Sequence, residues 1–260
     1  MNDLQKKIYS LLFILTLFLF SNNLTGQTRL IHVFVALCDN EHQGIVPVPE
    51  SIGDGTNPKT NLYWGAGYGV RNFFDKKTDD WSLITELNCD KSYLLERVLF
   101  KHKDYDVYLL ADAYEGEYIQ DCIEDFLVCS NGQYNDTINY NKKRFIFGGN
   151  SDMTVYIGHN GLMDFNVDLV YHDNDKRVDV IILGCFTKSY FKEDIKRANA
   201  NPVLWTTHLM APEAYTLYSA IEGWIRDETA EEIDERAAQA YNKYQNCGIK
   251  GARNLFTTGF

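Results

Sequence analysis

The sequence predicts an α/β fold, with a mostly parallel central sheet and helices on both of its faces. Short apolar segments alternate along the chain with segments of helical period, which is the pattern of strand–helix–strand units. Several apolar segments are continuous, as expected for strands that are buried on both faces. A chain of 260 residues with 45% hydrophobic residues can bury one substantial core. We therefore expect residues 27–260 to form a single α/β domain.

The first 26 residues differ in pattern from the rest of the chain. Lys6 and Lys7 precede an apolar run at residues 8–20, and a polar stretch follows at residues 21–26. This order of basic, apolar and polar regions is typical of a secretory signal peptide. The apolar run is shorter than the roughly 20 residues of a membrane-spanning helix. We predict that residues 1–26 are a removable signal and that the protein is exported, to a periplasm or secreted, with no membrane span after removal.

The first elements of the mature chain are predicted from composition and period. Residues 30–37 (LIHVFVAL) form an almost wholly apolar run and predict a buried strand. Residues 39–59 are rich in Gly, Pro, Asn and Asp, which indicates a long loop. Residues 61–74 carry three glycines but still favour a helix. Further elements are possible strands, or a strand and a short helix, at 81–87 and 92–100, a strand at 105–111 and a helix at 115–128.

The second half of the chain repeats the alternation. The predicted elements are strands at 153–158 (MTVYIG) and 178–184 (VDVIILG), a helix at 190–199, a strand at 202–206, and helices at 212–225 and 229–246. Pro212 suits the first turn of its helix. Thr229 and Glu232 have the spacing of a capping box, and Gly248 follows the end of that last helix.

Two reactive residues follow two of these strands directly. His159 comes after strand 153–158 and Cys185 comes after strand 178–184. Functional residues of parallel sheets lie beyond the carboxyl ends of the strands, and neighbouring strand ends are about 5 Å apart. A helix N-terminus after Cys185 would favour the thiolate, and a histidine can transfer protons near neutral pH. We expect a nucleophilic cysteine with a histidine partner, and backbone N–H groups of Asn160, Gly161 and Cys185 that could form an oxyanion hole.

The segments TVYIGHNG and VDVIILGCFTKSYF resemble the caspase, gingipain and legumain group of cysteine peptidases and the related CHAT proteins. In that group a hydrophobic strand ends in His-Gly and the next strand ends in the nucleophilic Cys. The order of elements over residues 30–225 is also similar to the caspase-like fold. The resemblance implies a cysteine endopeptidase or related amide hydrolase that acts on a peptide or protein through an acyl-enzyme intermediate. It implies Cys185 as nucleophile, His159 as its partner, and no cofactor or metal. The chain departs from the group at Asn160, where glycine is usual, and in the short interval between His159 and Cys185.

Two loops are candidates for the substrate pocket. In the resembled families, residues after the first strand shape the pocket for the residue before the scissile bond. By that resemblance Asp39 or Glu41 would favour a basic substrate residue through charge pairing, and the alternative is a solvated acidic loop. Thr206, Thr207 and His208, after strand 202–206, could line the same pocket. His208 is also the second candidate for the general base.

Other function classes are less consistent with the sequence. A formal net charge of −11, without a basic patch, argues against binding to nucleic acid. The set His159, Asp164, His172 and Asp173 offers metal-ligand types, but its spacing matches no standard site. The glycines of residues 65–69 lack the Lys-Ser/Thr of a phosphate-binding loop.

The main alternative is a catalytically inactive caspase-like domain that binds a peptide or a surface partner. The residue at position 160 and the short interval favour it, and the loop at residues 39–61 would be its recognition surface. The six cysteines permit disulfides in an exported chain without fixing their pairing, and the oligomeric state stays open.

Overall fold

The computed structural model describes residues 27–260, so the predicted signal peptide at residues 1–26 lies outside the described residues. The strands are β1 (Arg29–Ala36), β2 (Trp81–Glu86), β3 (Leu94–His102), β4 (Val107–Tyr114), β5 (Asn135–Tyr140), β6 (Lys143–Gly148), β7 (Met153–Ile157), β8 (Asp179–Leu183), β9 (Asn201–Thr206) and β10 (Phe256–Thr257). The helices are α1 (Val70–Lys76), α2 (Ile119–Ser130), α3 (Thr187–Arg197), α4 (Ala214–Ile225), α5 (Ala230–Gln245) and α6 (Ile249–Leu255).

A sheet of eight strands in the order β10-β9-β8-β7-β1-β4-β3-β2 forms the centre of the described chain. Strands β9, β8, β7, β1 and β4 are parallel to one another. Strand β3 is antiparallel to both β2 and β4, and β10 is antiparallel to β9. The predicted α/β class with a mostly parallel sheet is therefore confirmed, with antiparallel strands at both ends of the sheet as an addition.

Strand β1 is buried on both faces, as its continuous apolar run predicts. Ile31, Val33 and Val35 point to the face that α1, α4, α5 and α6 cover. Phe34 points to the opposite face, where it packs among side chains of α2 and α3. The hairpin of β5 and β6 covers the rest of that second face, over β3 and β4. Helices thus lie on both faces of the sheet, and β1 is its central strand.

Two predictions about helices have different outcomes. The helix at 229–246 is confirmed as α5, and its capping box is present, with the Thr229 side chain accepting from the Glu232 N–H. The helix predicted at 61–74 is wrong over most of its length, because only α1 (Val70–Lys76) is helical. The buried Asn61 side chain pairs with both backbone groups of Cys38, at 3.0 and 2.8 Å, and this holds the chain before α1 in turns.

The path of the chain creates a crevice beside β1. After β1 the chain builds β2, β3 and β4 on one side, and it then builds β7, β8, β9 and β10 on the other side. In parallel sheets, ligands bind where the strand order reverses in this way, outside the carboxyl ends of the strands. The carboxyl ends of β1 and β7 therefore mark the place where a site is expected.

Both ends of the described chain lie at the opposite edge of the sheet, the amino edge. Residue 27 precedes the start of β1 directly, and β10 runs antiparallel to β9 toward the beginning of that strand. The Gly259 N–H donates to the Pro202 carbonyl at 2.9 Å, which keeps the last residues at this edge. Within residues 27–260, no helix is both long enough and apolar enough to cross a membrane.

Candidate active site

His159 and Cys185 occupy equivalent positions on neighbouring strands. Strands β7 and β8 pair in parallel, with Ile157 opposite Leu183. The Gly158 N–H donates to the Leu183 carbonyl at 3.1 Å, so the pairing continues beyond the strand ends. Extending the same register by two residues places His159 opposite Cys185, at the spacing of about 5 Å between neighbouring strands. The strand neighbours expected from the sequence are thus present, and they bring the two residues to one edge of the sheet.

A glycine lets the two strand ends approach each other closely. A Cβ on Gly184 would lie 2.8 Å from the Gly158 carbonyl oxygen and 3.6 Å from the Asn160 nitrogen. The first distance is too short for any real side chain, and its partner is backbone, which cannot swing away. The residue before Cys185 therefore has to be glycine for the two strand ends to keep this separation.

Asn160 joins the two strand ends. Its side chain is fully buried, its Nδ2 donates to the Cys185 carbonyl at 2.6 Å, and its Oδ1 accepts from the Leu162 N–H at 3.2 Å. A glycine at this position, the usual residue of the resembled group, has no side chain to make these bonds. Asn160 therefore fixes the turn after His159 against the turn that carries Cys185.

His159 is held by a carboxylate. Its ring is 7% exposed, and its Nε2 lies 2.6 Å from Oδ2 of Asp164, whose side chain is 42% exposed. A carboxylate accepts hydrogen bonds, so Nε2 carries the proton and Nδ1 is the nitrogen left for proton transfer. The 3-10 turn Gly161–Met163 brings the two residues together. The sequence suggested Asp164 only as a metal ligand. The contact between His159 and Asp164 could have been anticipated from the presence of a carboxylate one short turn after the histidine.

The turn after Cys185 has an unusual backbone. Phe186 adopts φ 54° and ψ 32°, in the left-handed region that bulky residues rarely occupy. Its N–H donates to the His208 carbonyl at 3.0 Å, and α3 begins at the next residue, Thr187. Conformations of this kind are kept where the surroundings impose them, and they cluster at functional sites. The turn places Cys185 two residues before Thr187, the first residue of α3.

The six cysteines, all within the described residues, are free of disulfides. Burial raises the pKa of Cys38 to about 11, and it also raises the pKa values of Cys89, Cys122 and Cys129. A raised pKa lowers the fraction of reactive thiolate. Cys185 is half-buried, and its thiol donates to the Met210 carbonyl with an S···O distance of 3.7 Å. Cys185 is therefore the thiol of this site that a ligand can reach.

A cleft of about 450 Å³ opens at the carboxyl ends of β1, β7, β8 and β9, and both His159 and Cys185 line it. Much of its lining comes from residues 44–46 and 48, in the loop after β1, and from residues 209–213, after β9. The buried Tyr63 also lines it, and burial raises the pKa of Tyr63 well above the usual value, so its hydroxyl stays protonated. The cleft coincides with the crevice where the strand order reverses.

The predicted oxyanion donors differ in their hydrogen bonds. The Gly161 N–H donates to the His159 carbonyl at 3.1 Å, so it is already engaged. For the N–H groups of Asn160 and Cys185 no acceptor is found among residues 27–260. Both groups follow the ends of β7 and β8, but only Cys185 is among the residues that line the cleft, while Asn160 is fully buried.

The acidic residues predicted to bind substrate do not line the cleft. Asp39 is buried, and its Oδ1 accepts from the N–H groups of Glu41 and His42, at 2.8 and 3.2 Å. Its Oδ2 lies 2.9 Å from Nδ1 of His42. Glu41 is exposed on the same loop. The Asp39 carboxylate thus stabilises its own loop.

The predicted residues at the end of β9, Thr206 to His208, lie outside the cleft. The buried Thr206 hydroxyl donates to the Gly184 carbonyl and pairs with the Thr187 hydroxyl at 2.9 Å. Thr207 bonds through its hydroxyl to the Asn254 carbonyl at 2.8 Å, and His208 is exposed, with Nδ1 2.7 Å from that hydroxyl. None of these side chains is among the residues that line the cleft. Thr206 braces the turn that carries Cys185.

The metal alternative gains no support. In the described part of the chain, no three His, Cys, Asp or Glu side chains come together in a group that could hold a metal ion. His159 and Asp164 contact each other but are joined by no further ligand of that kind.

Comparison of the chain with known proteins identifies no relative. The chain matches no protein-family model, no curated protein and no solved structure. The function is therefore argued from the geometry of Cys185, His159 and the cleft they share.

Proposed function

We propose that this protein is a cysteine peptidase, or a related amide hydrolase, with Cys185 as the nucleophile and His159 as its proton-transfer partner. The observation that carries the proposal is the register of β7 and β8, which brings the two residues to neighbouring strand ends, where both line one cleft. Asp164 adds a carboxylate that orients the imidazole, as the third member of a nucleophile–base–acid arrangement does. We include in this proposal that the α/β fold is of the caspase-like type.

The reaction follows from these positions. The thiol proton passes to His159, and the Cys185 sulfur attacks the carbonyl carbon of the scissile amide. The oxygen that becomes negative binds the free N–H group of Cys185, which lines the cleft. His159 gives its proton to the leaving amine as the C–N bond breaks, which leaves a thioester on Cys185. Water then attacks the thioester, His159 takes a proton from that water, and the carboxylic acid product leaves as the thiol is restored.

We also propose that the protein acts on a peptide or protein outside the cytoplasm. This part rests on the basic, apolar and polar order of residues 1–26, which lie outside the described residues. Fusion of residues 1–26 to a reporter that is active only after export tests it. Export of the fusion supports the proposal, and retention of the fusion in the cytoplasm contradicts it.

Thiol labelling tests the catalytic pair. With iodoacetamide near pH 7 and location of the adduct by peptide mass spectrometry, we expect Cys185 to react about tenfold faster than the exposed Cys247. His159→Ala should remove this advantage, because the thiol loses the group that accepts its proton. His208→Ala is the matched control, since its ring is exposed outside the cleft, and it should leave the rate unchanged.

Hydrolysis of fluorescently labelled casein is the second measurement. Activity that disappears in Cys185→Ala and in His159→Ala, but not in Cys247→Ser, supports the proposal. A Cys185 that reacts no faster than Cys247, together with casein hydrolysis that survives Cys185→Ala, would contradict it.

One observation favours the non-catalytic alternative. The Cys185 thiol donates to the Met210 carbonyl with an S···O distance of 3.7 Å, so its hydrogen bond goes to the backbone and not to His159. A domain that only binds peptides in the cleft would keep this arrangement. Calorimetric titration with peptides, combined with a hydrolysis assay, separates the two functions. A binding module binds peptides with the same affinity in the wild type and in Cys185→Ala, and its wild type hydrolyses none of them.

A further inference from the structure

The cleft has a chemical character that the proposed function alone does not specify. We propose that it accepts an apolar side chain of the size of leucine, methionine or phenylalanine, on the substrate residue before the scissile bond. This inference rests on the proposed function, because it takes the Cys185 sulfur as the atom that attacks. It replaces the expectation of a basic substrate residue with one based on the side chains that form the walls.

The walls of the cleft are built mainly from aliphatic and methionine side chains. They come from two loops and from the turn before α1: Ile45, Val46, Val48, Leu62, Leu209 and Met210. A pocket with such a lining and a volume of a few hundred Å³ recognises ligands through apolar contact, while a few polar groups orient the reacting bond. Here those polar groups are the ones around Cys185 and His159.

Two of these side chains stay uncovered at the mouth of the cleft. Val46 is 87% exposed and Leu209 is 67% exposed, and both line the cleft. Exposed apolar side chains gain free energy when an apolar ligand removes them from water. A substrate side chain that enters the cleft would contact this apolar lining.

The charged groups near the cleft do not provide a pocket for a basic side chain. The Asp39 carboxylate is buried in its own loop, as described above, and Glu41 is exposed away from the cleft lining. Glu213 is the one carboxyl group among the lining residues, and its Oε2 accepts from the Tyr215 hydroxyl at 2.9 Å and from the Gln245 amide at 3.1 Å. Burial raises the pKa of Glu213, so its charged form is disfavoured relative to an exposed glutamate. Glu213 is therefore committed to the contact between α4 and α5.

A series of fluorogenic peptide amides tests the inference. The peptides share one sequence and differ only in the residue before the coumarin leaving group: Leu, Met, Phe, Ala, Lys, Arg or Asp. We expect kcat/KM for Leu, Met and Phe to exceed that for Ala by about 10- to 100-fold, the range that a few methylene groups give in an apolar pocket. The charged residues should be cleaved no faster than Ala.

Variants connect the preference to the walls. Leu209→Ala should lower kcat/KM for the Leu peptide by about tenfold and leave that for the Ala peptide nearly unchanged. Val170→Ala is the matched control, because Val170 is 76% exposed but does not line the cleft, and it should change neither value. Glu213→Gln should leave the order of preference intact.

The outcomes separate the two proposals. Faster cleavage of Lys or Arg peptides that is lost in Glu213→Gln would overturn the apolar preference while supporting the hydrolase. If no peptide is cleaved, peptide aldehydes ending in Leu or in Arg are tested for protection of Cys185 against iodoacetamide. Protection by the Leu aldehyde at about tenfold lower concentration supports the inference, and equal or better protection by the Arg aldehyde overturns it. A Cys185 that iodoacetamide does not modify overturns both proposals.

Discussion

Asn160→Ala removes the side chain that joins the ends of β7 and β8. The Cys185 carbonyl and the Leu162 N–H both lose their side-chain partner in a partly buried place. An unsatisfied buried polar group costs about 1 to 3 kcal/mol, so the two together should lower the free energy of unfolding by about 2 to 6 kcal/mol. With a slope of about 2 to 3 kcal/mol per M for urea, the unfolding midpoint should fall by about 1 to 3 M.

Urea denaturation followed by tryptophan fluorescence measures this shift. Asn139→Ala is the matched control, because Asn139 is exposed on β5, and it should change the free energy of unfolding by less than about 0.5 kcal/mol. The same variants should be labelled with iodoacetamide, since loosening the turn at Asn160 should also slow the selective reaction of Cys185. An Asn160→Ala protein with the midpoint of the wild type and unchanged labelling would show that Asn160 does not hold the two strand ends together.

Three further perturbations test other contacts of the site and the core. Asp164→Asn should lower kcat/KM for peptide hydrolysis by about 10- to 100-fold; this is less than the roughly 10,000-fold loss for the buried aspartate of a serine triad, because the Asp164 side chain is 42% exposed. Gly184→Ala adds a Cβ 2.8 Å from a backbone oxygen, and it should cost about 1 to 3 kcal/mol in a urea titration and reduce Cys185 labelling. Arg97→Met leaves the buried Asp112 without its guanidinium partner and should lower the free energy of unfolding by about 3 to 5 kcal/mol at pH 7. Burial acts to raise the pKa of Asp112, but Arg97 and His32 outweigh it and hold this pKa at about 2, below the usual 3.8. The wild type should therefore keep this contribution above about pH 4 and lose it as the pH falls toward 2, and an acid titration of the urea midpoint that shows no such loss would refute the reasoning.

The parts of the fold that the sequence predicts are those with a clear local signal. Strands β1, β7 and β8 are continuous apolar runs, and such runs are buried on both faces wherever they lie in the sheet. The capping box at Thr229 uses only residues within one turn, so its spacing in the sequence is enough to place the start of α5. The placement of His159 and Cys185 follows from these strands, because each residue comes directly after a strand end.

Other parts depend on contacts between distant residues. The hairpin of β5 and β6 turns through Asn141 and Lys142, both with positive φ (47° and 63°), without the glycine that usually marks such a turn. The antiparallel direction of β3 follows from pairing with β4, which no local pattern specifies. The cleft is lined largely by loops, whose sequences show no hydrophobic period. The resemblance suggested acidic residues of the first loop for the pocket, but no local pattern shows that the Asp39 carboxylate bonds to N–H groups of its own loop.

Residue 27 and Phe260, the first and last residues that the structure describes, both lie at the amino edge of the sheet, and this bears on how the protein can be attached to a surface. Strand β1 covers eight residues, and at about 3.3 Å per residue its start lies about 26 Å from its carboxyl end, where the cleft opens. A linker joined ahead of residue 27 or after Phe260 would therefore leave from the side away from the cleft. Molecules tethered to a sensor chip by either end should present the cleft to the solution, so that peptide binding can be recorded on immobilised protein without blocking its entrance.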